Sequence, residues 1–229
     1  IWTAYQIAVA ASKQYLAAGV TTAQSGHHDS LKTMAMILMG NLNLLPLRLV
    51  VWSNSDVGDR RAEGRFNNFF TRIFRKSWVS LGAVKLVADG SIQGFTGRLK
   101  WPGHFNGKPN GIWNLPPQTL TNMVEAYHSA GLQMHMHTNG DEASELMINA
   151  IEKALLKAPR SDHRHTLTHC QMADESQFQR MAQLGICANL FTNHIYYWGD
   201  QHLALTMGPD RAMRMNACGT AKRLGVPFT

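Results

Sequence analysis

The amino-acid sequence predicts an α/β fold, specifically a partial TIM (β/α)8 barrel. Short β-branched segments alternate regularly with helical patterns, which is typical of a parallel sheet covered by helices. Two of the predicted strands end in histidines, and His169 lies 32 residues after His137. A complete (β/α)8 barrel uses roughly 31 residues for each of its eight units. No Gly-x-Gly-x-x-Gly motif follows the first predicted strand, which disfavours a dinucleotide-binding fold.

Six strands are predicted, and a helix follows each of them. An alanine-rich helix over residues 3–18 comes first and ends at Gly19, because glycine readily takes the left-handed cap position. The predicted strands cover residues 20–23, 47–51, 84–88, 133–137, 166–169 and 186–189. The helices after them cover residues 30–42, 61–77, 117–130, 141–156, 174–184 and 210–224, with Asp141 as an N-cap candidate. Residues 226–229 resemble the start of another strand.

A long glycine-rich stretch, residues 91–114, separates the third predicted strand from its helix. Loops of this length inside compact domains are usually functional or disordered. Its aromatic residues Phe95, Trp101, Phe105 and Trp113 favour an ordered lid. We expect them to form an apolar wall that excludes water from a site at the strand ends.

The chain length and the count of strands against a complete barrel predict one domain over residues 1–229, incomplete at both ends. The 229 residues are 45% hydrophobic, enough for one sizeable core. The start has no initiator methionine, basic n-region or cleavage pattern, so we expect the interior of a longer chain. No apolar run reaches the roughly 20 residues that span a bilayer, and we expect no membrane partner. Three scattered cysteines fit a reducing, cytoplasmic location.

The positive net charge suggests nucleic acid as a binding partner, because the formal net charge is +7 and the pI is about 9.5. The basic residues are scattered, however, and no dense block of 5–8 of them appears. We therefore expect no nucleic-acid partner.

Four motifs and the chain end resemble a known family when they are taken in order. They are Gly19-Val20-Thr21-Thr22, the run from Val84 to Ser91, His137-Thr138-Asn139-Gly140-Asp141, Thr168-His169-Cys170-Gln171, and the ending Leu224-Gly225-Val226-Pro227-Phe228-Thr229. They resemble the amidohydrolase superfamily, and within it amidohydrolase family 3, the branch that includes the N-substituted formamide deformylases. The matches span approximately strand 2 to the start of strand 8 of that family's barrel. The ordered set is more specific than any one motif.

The resemblance implies a zinc site with one or two divalent metal ions, in which Lys85, His137 and His169 are metal ligands. The family also uses a His-x-His pair on strand one and an aspartate on strand eight, and neither has a counterpart in these residues. It further implies that Lys85 is carbamylated by CO₂ and becomes an anionic oxygen ligand. The alternative from the residues alone is a lysine that reaches solvent or pairs with Asp89.

The remaining histidines need separate interpretations. His135 and His137 point to the same face of their strand, because strand side chains alternate with period two, and His135 is expected one layer deeper as a core residue. His163 and His165, in a polar context at a strand start, are predicted to lie on the surface. For His194 two interpretations stay open: a catalytic residue facing substrate, as the resemblance implies, or a polar loop residue.

The function implied by the resemblance is a metal-dependent hydrolase that cleaves a C–N bond of an amide, formamide or cyclic amide with a metal-activated hydroxide. The binding partner of such an enzyme would be a small-molecule substrate. A homo-oligomeric assembly is compatible with this function. The general base is expected downstream of Thr229, so residues 1–229 alone are expected to be inactive. The alternative is a non-catalytic (β/α) domain that binds a ligand or partner; an upstream His-x-His and a downstream aspartate would distinguish the two.

Overall fold

The computed structural model describes residues 2–66 and 78–229, and these form two compact units, Ile1–Lys85 and Leu86–Thr229. The described strands are β1 Thr22–His28, β2 Arg48–Ser53, β3 Val79–Val87, β4 Met134–Thr138, β5 Thr166–His169 and β6 Cys187–Leu190. The described helices are α1 Trp2–Ala17, α2 Ser30–Asn41, α3 Ser55–Ala62, α4 Pro117–Ser129, α5 Asp141–Lys157, α6 Glu175–Leu184, α7 Asn193–Gln201, the π-helical turn His202–Thr206, α8 Gly208–Ala212 and α9 Cys218–Leu224. Most of the predicted helix over 61–77 lies outside the described residues.

The first unit is a parallel β1-β2-β3 ladder with helices between its strands. Helix α2 begins at Asp29, whose carboxylate accepts a hydrogen bond from the Lys32 N–H at 2.8 Å and so satisfies an otherwise unpaired donor. The buried residues of this unit's core come from α2, the loop after it and the strands; they are Ile37, Leu45, Val51 and Val79.

The second unit begins with the end of β3. There the Ala88 N–H donates to the His137 carbonyl of β4 at 3.1 Å. Strands β4, β5 and β6 follow as a parallel ladder in chain order. The predicted start of another strand is present as a parallel bridge between Phe228 and Ala188 of β6.

The predicted fold class, α/β and part of a TIM (β/α)8 barrel, is confirmed. Each predicted strand is present, and the strand predicted over 166–169 matches β5 at both ends. The first strand runs further than predicted, to His28. That the chain is one domain stays a prediction. In the described ranges, no helix is long and apolar enough to cross a membrane.

The prediction of a single helix over residues 210–224 is wrong. The chain forms two short helices, α8 and α9, separated by a turn in which Asn216 has a φ of +49°. The Asn216 N–H donates to the Gln171 carbonyl at 2.8 Å, and its side-chain oxygen accepts from the Phe191 N–H at 3.1 Å. These contacts with distant segments override the local helical pattern.

The prediction that Asp141 caps α5 is also wrong. Gly140 occupies the N-cap position with extended backbone, and Asp141 is the first helical residue. Its side chain accepts instead from the Lys100 N–H at 2.9 Å. Glycine is required at the cap because a Cβ atom on Gly140 would lie 1.7 Å from the Arg98 carbonyl oxygen.

The prediction that His163 and His165 are surface residues is wrong: both are buried, and they form a cluster with His128 of α4. The His163 and His165 rings stack at 4.4 Å, and the His128 ring lies 5.2 Å from the His165 ring. The cluster lies where β4 and β5 begin, because the Met134 N–H donates to His165 Nδ1 at 3.2 Å.

Hydrogen bonds explain why three imidazoles can be buried here. His165 Nδ1 accepts from Met134, so its Nε2–H donates to His128 Nδ1 at 2.9 Å. The Nε2 of His128 then donates to the Ala158 carbonyl at 2.7 Å. His163 accepts at Nδ1 from the His165 N–H at 3.0 Å and donates from Nε2 to the Leu184 carbonyl at 2.8 Å. Every ring nitrogen of the three histidines is paired.

Candidate metal centre

The carboxyl ends of β4 and β5 bring His137 and His169 together. The two strands are parallel neighbours, with Thr138 paired to His169. The ring centroids of the two histidines are 4.7 Å apart and the rings are nearly perpendicular. The two imidazoles therefore lie at the carboxyl ends of adjacent strands, which is where the active sites of (β/α)8 barrels are found.

The ring of His137 is oriented by a backbone carbonyl. Its Nε2–H donates to the Gly90 oxygen at 2.9 Å, and the Asn139 amide donates to the same oxygen at 2.7 Å. Because a carbonyl oxygen can only accept, this bond assigns the proton to Nε2 and leaves Nδ1 as the basic nitrogen, although the Asn139 amide nitrogen also lies 3.1 Å from Nε2. Histidines that bind metals almost always donate their other ring N–H to a carboxylate, carbonyl or water. His137 therefore has the hydrogen bond expected of a ligand that coordinates through Nδ1.

The backbone at the end of β5 is strained. His169 has a φ of +74° and the next residue, Cys170, a φ of +46°. Left-handed conformations cost non-glycine residues of order 1–3 kcal/mol each and cluster at functional sites. The turn is held by the Met172 N–H, which donates to the Asn139 carbonyl at 3.2 Å. The turns after β4 and β5 are therefore tied together beside the two histidines.

Asp89, just after β3, connects the turn after β4 with the 91–114 loop. Its buried carboxylate accepts three backbone N–H groups, from Asn139 at 2.9 Å, Gly140 at 2.8 Å and Arg98 at 2.9 Å. Burial raises the pKa of Asp89 to about 6 despite these hydrogen bonds, which favour the ionised form. The carboxylate is therefore mainly ionised at neutral pH, and Oδ1 lies 3.6 Å from His137 Nε2.

The stretch over residues 91–114 is an ordered loop fixed to the start of α5. The Arg98 guanidinium makes two hydrogen bonds to the Glu142 carboxylate, at 2.9 and 3.0 Å. Lys100 donates from its side chain to Glu145 at 3.0 Å. The loop also returns to the sheet, since the Asn114 N–H donates to the Ala88 carbonyl at 2.9 Å. Its function as a lid stays a prediction.

The expected apolar wall of four aromatic residues is not formed. Trp101 is 94% exposed and Phe105 is 55% exposed. Trp113 lies instead against the Arg98 guanidinium, whose Cζ atom is 5.0 Å from the centre of the Trp113 ring. Phe95 packs on His104. The loop's position is set by its charged and backbone contacts, so its aromatic side chains do not have to converge.

Lys85 lies near the end of β3 in the first unit and is buried. Burial lowers its pKa from 10.5 to about 8, because the ammonium loses hydration. Its Nζ lies 5.8 Å from the centre of the Trp52 ring. The lower pKa enlarges the neutral, nucleophilic fraction of the amine at neutral pH. Convergence of Lys85 with the two histidines of the second unit stays a prediction.

His194 does not lie in a loop, as one of the two interpretations had it, but in the first turn of α7. A row of rings leads to it from the strand ends: His169 to Phe191 at 5.1 Å, and Phe191 to His194 at 4.3 Å. His202 of the π-helical turn lies beyond, 6.1 Å from His194. A catalytic role of His194 stays a prediction.

The residues fit part of a metal site. His137 and His169 have the proximity and, for His137, the supporting hydrogen bond that two ligands of one site need. Across residues 2–66 and 78–229, no group of three or more His, Cys, Asp and Glu is arranged to hold a metal ion. Within the described residues the pair therefore offers two candidate ligands.

Sequence reasoning missed two features of this region. The sequence analysis does not recognise that Asp89 joins the turn after β4 to the 91–114 loop, although an aspartate followed by glycine at the end of a buried strand is a usable signal. His202 gave no signal, since it lies in a segment for which the sequence predicted no element.

Comparison with known proteins gives one family and several relatives. A family model described as "Amidohydrolase family" matches residues 3–229. The chain is 32% identical to the putative amidohydrolase YtcJ of Bacillus subtilis (strain 168) over 113 residues, which is 49% of this chain and 21% of that protein.

Solved structures share the fold. An uncharacterized metal-dependent hydrolase from Pyrococcus furiosus superposes with a TM-score of 0.79 at 18% identity, over 96% of this chain and 44% of that one. Atrazine chlorohydrolase TrzN from Arthrobacter aurescens TC1, complexed with zinc, gives 0.53 at 12% identity, over 98% of this chain and 47% of that one. At these identities the likeness shows the fold alone. The chain spans less than half the length of each of these proteins.

Proposed function

The chain belongs to the amidohydrolase family, and on this premise we propose that the whole protein is a metal-dependent hydrolase acting on a C–N bond of an amide, formamide or cyclic amide. One observation carries the proposal: His137 and His169 meet at neighbouring strand ends, and a backbone carbonyl fixes the His137 ring for coordination through Nδ1. A small-molecule amide is the proposed substrate, and the cytoplasm the proposed location.

The proposed metal is zinc, with one or two ions per chain. Neutral imidazole suits zinc, and His137, His169 and Lys85 are its proposed ligands in these residues. When bound, zinc supplies Lewis-acid chemistry and activates water at neutral pH.

The protein's own groups prepare this site. Gly90 and Asn139 orient the His137 ring, and the Asp89 carboxylate holds the turn that carries Asn139. The lowered pKa of Lys85 favours carbamylation: the neutral amine nitrogen attacks the carbon of CO₂ and loses a proton, which leaves a carbamate anion. His194, one ring beyond His169, is proposed to face the substrate.

Replacing His169 by alanine in the full-length protein is expected to lower zinc affinity by more than the roughly 10–100-fold cost of losing an outer partner of a ligand. Zinc content is measured by elemental analysis, and turnover is measured with N-benzylformamide. Glu175→Gln serves as a control, since Glu175 pairs with Arg223 at the surface. Wild-type protein that binds no metal and hydrolyses no amide would support the non-catalytic alternative.

Residues 1–229 expressed alone are expected to bind zinc weakly and to hydrolyse no amide. Three proposed ligands are present where the family pattern uses six, and a carbamate on Lys85 needs the metal to stabilise it. Two tightly bound zinc ions per chain in residues 1–229 would show that the ligands are assigned to the wrong residues.

A further inference from the structure

Two histidines after β6 have buried ring nitrogens that find no hydrogen-bond partner among residues 2–66 and 78–229. They are Nδ1 of His194 and Nε2 of His202. His202 is only 1% exposed. A buried polar atom without a partner costs about 1–3 kcal/mol, and each such atom in a native structure calls for an explanation.

The rest of the His202 ring is held in place. Its Nδ1 is hydrogen-bonded to the Thr206 hydroxyl at 2.8 Å within the π-helical turn. The Thr206 carbonyl accepts from the Phe105 N–H at 2.8 Å, which joins this turn to the 91–114 loop. Single π-helical turns occur frequently at functional sites. The contacts that fix the ring leave Nε2 unused.

A row of rings connects these two histidines to the candidate metal centre. The His194 and His202 rings are nearly parallel, with planes 15° apart and centroids 6.1 Å apart. In the row of rings, Phe191 lies between His194 and His169. Burial lowers the pKa of both histidines, that of His202 to about 4, so both rings are neutral at neutral pH. With the Thr206 hydroxyl assigned as the donor to Nδ1, the proton of the neutral His202 ring lies on Nε2, which is then a hydrogen-bond donor.

We propose that His194 Nδ1 and His202 Nε2 form a subsite for a substrate oxygen outside the scissile bond, one ring beyond His169. The inference rests on the proposed function and narrows its substrate class to amides that carry a second oxygen function, a carbonyl or a carboxylate. Entry requires rotation of the partly exposed His194 side chain. That rotation gives up the ring contact with Phe191, whose centroid lies 4.3 Å away; no residue of α7 is fully buried.

Two substitutions separate this function from a structural one. His202→Asn keeps a polar group where Nδ1 meets Thr206 and removes Nε2, whereas His202→Gln places a polar group where Nε2 lies. If the subsite binds substrate, His202→Asn weakens binding of the probes and His202→Gln largely preserves it. If His202 only holds the π-helical turn through Thr206, His202→Gln is instead the more harmful of the two.

Binding is measured by calorimetry on full-length protein stripped of metal, so that coordination does not contribute. Phenylacetate probes the carboxylate and phenylacetamide the carbonyl. We expect at least one probe to bind, with about a tenfold loss in His202→Asn and less than about a threefold loss in His202→Gln. Thermal midpoints of the variants report their folding.

Wild-type protein that binds neither probe, or a His202→Asn variant that binds as tightly as wild type, would overturn the subsite. Turnover of N-benzylformamide and of N-formylphenylalanine, a formamide that also carries a carboxylate, is measured separately with the zinc-loaded full-length protein. Failure of both reactions removes the proposed hydrolysis and leaves the calorimetric result standing, so the two failures are distinguishable.

Discussion

Replacing Gly140 by alanine is expected to destabilise the full-length protein by more than about 4 kcal/mol, or to prevent its folding. The new Cβ atom would lie 1.7 Å from the carbonyl oxygen of Arg98 and 2.3 Å from its carbonyl carbon. Both are backbone atoms, so no side-chain rotation relieves the overlap.

The segments on either side of Gly140 cannot easily move apart. Its N–H donates to Asp89, and the Arg98 N–H donates to the same carboxylate oxygen. The Arg98 carbonyl also accepts from the Glu142 N–H at 3.2 Å. Relief of the overlap would break these bonds and remove two of the three backbone donors of the buried Asp89 carboxylate, which is itself costly. The loss therefore extends to the turn that orients His137.

Gly199→Ala is the matched control. Gly199 lies inside α7, and a Cβ atom there meets nothing within 4 Å. The same substitution is expected to be neutral or to stabilise by up to about 1 kcal/mol, since alanine is the better helix former. Urea unfolding of both variants measures the difference. A Gly140→Ala protein as stable as wild type would show that the loop and α5 do not approach as described.

The parts of the fold that the sequence predicted correctly are those set by local pattern. Strand β5 was placed at both ends because its β-branched residues stand between turns. The meeting of His137 and His169 followed from the repeat length of a barrel, since neighbouring parallel strands end at one edge.

The errors arose where distant partners decide the structure. His163 and His165 stand beside Asp162 and Arg164, a polar local context, yet they are buried because carbonyls and N–H groups from other segments pair their nitrogens. Asn216 interrupts a helical pattern for the same reason, through contacts with residues 171 and 191. The bonds that make burial or a break favourable come from segments far along the chain.

Acidification below about pH 6.5 is expected to destabilise the protein through the buried histidines His163 and His165. Burial lowers the pKa of His165 to about 2, with neighbouring His163 and the Arg160 guanidinium acting in the same direction, and burial also lowers the pKa of His163. Unfolded histidine takes up a proton near pH 6.5, whereas these folded rings do not. The contribution of His163 and His165 to the free energy of unfolding is therefore complete above pH 6.5 and falls as the pH decreases toward the pKa values of the folded state.

The geometry gives the same sign. A proton added at His165 Nδ1 would face the Met134 N–H, and one added at His163 Nδ1 would face the His165 N–H. Each proton bound only by the unfolded chain lowers the free energy of unfolding by about 1.4 kcal/mol per pH unit. Asp89 acts oppositely between about pH 6 and 4, because its raised pKa lets the folded state bind a proton first.

The measurement is the free energy of unfolding by urea at several pH values between 7 and about 5, in wild type and in a His163→Gln/His165→Asn double variant. The variant loses hydrogen bonds and is expected to be less stable at pH 7. Its stability should nevertheless fall less steeply with acidification, by up to about 1.4 kcal/mol per pH unit for each titrating histidine removed. The substituted amide of His163→Gln would retain a donor for the Leu184 carbonyl, and that of His165→Asn an acceptor for the Met134 N–H. Equal slopes in the two proteins would show that other histidines, such as His202, carry the acid sensitivity.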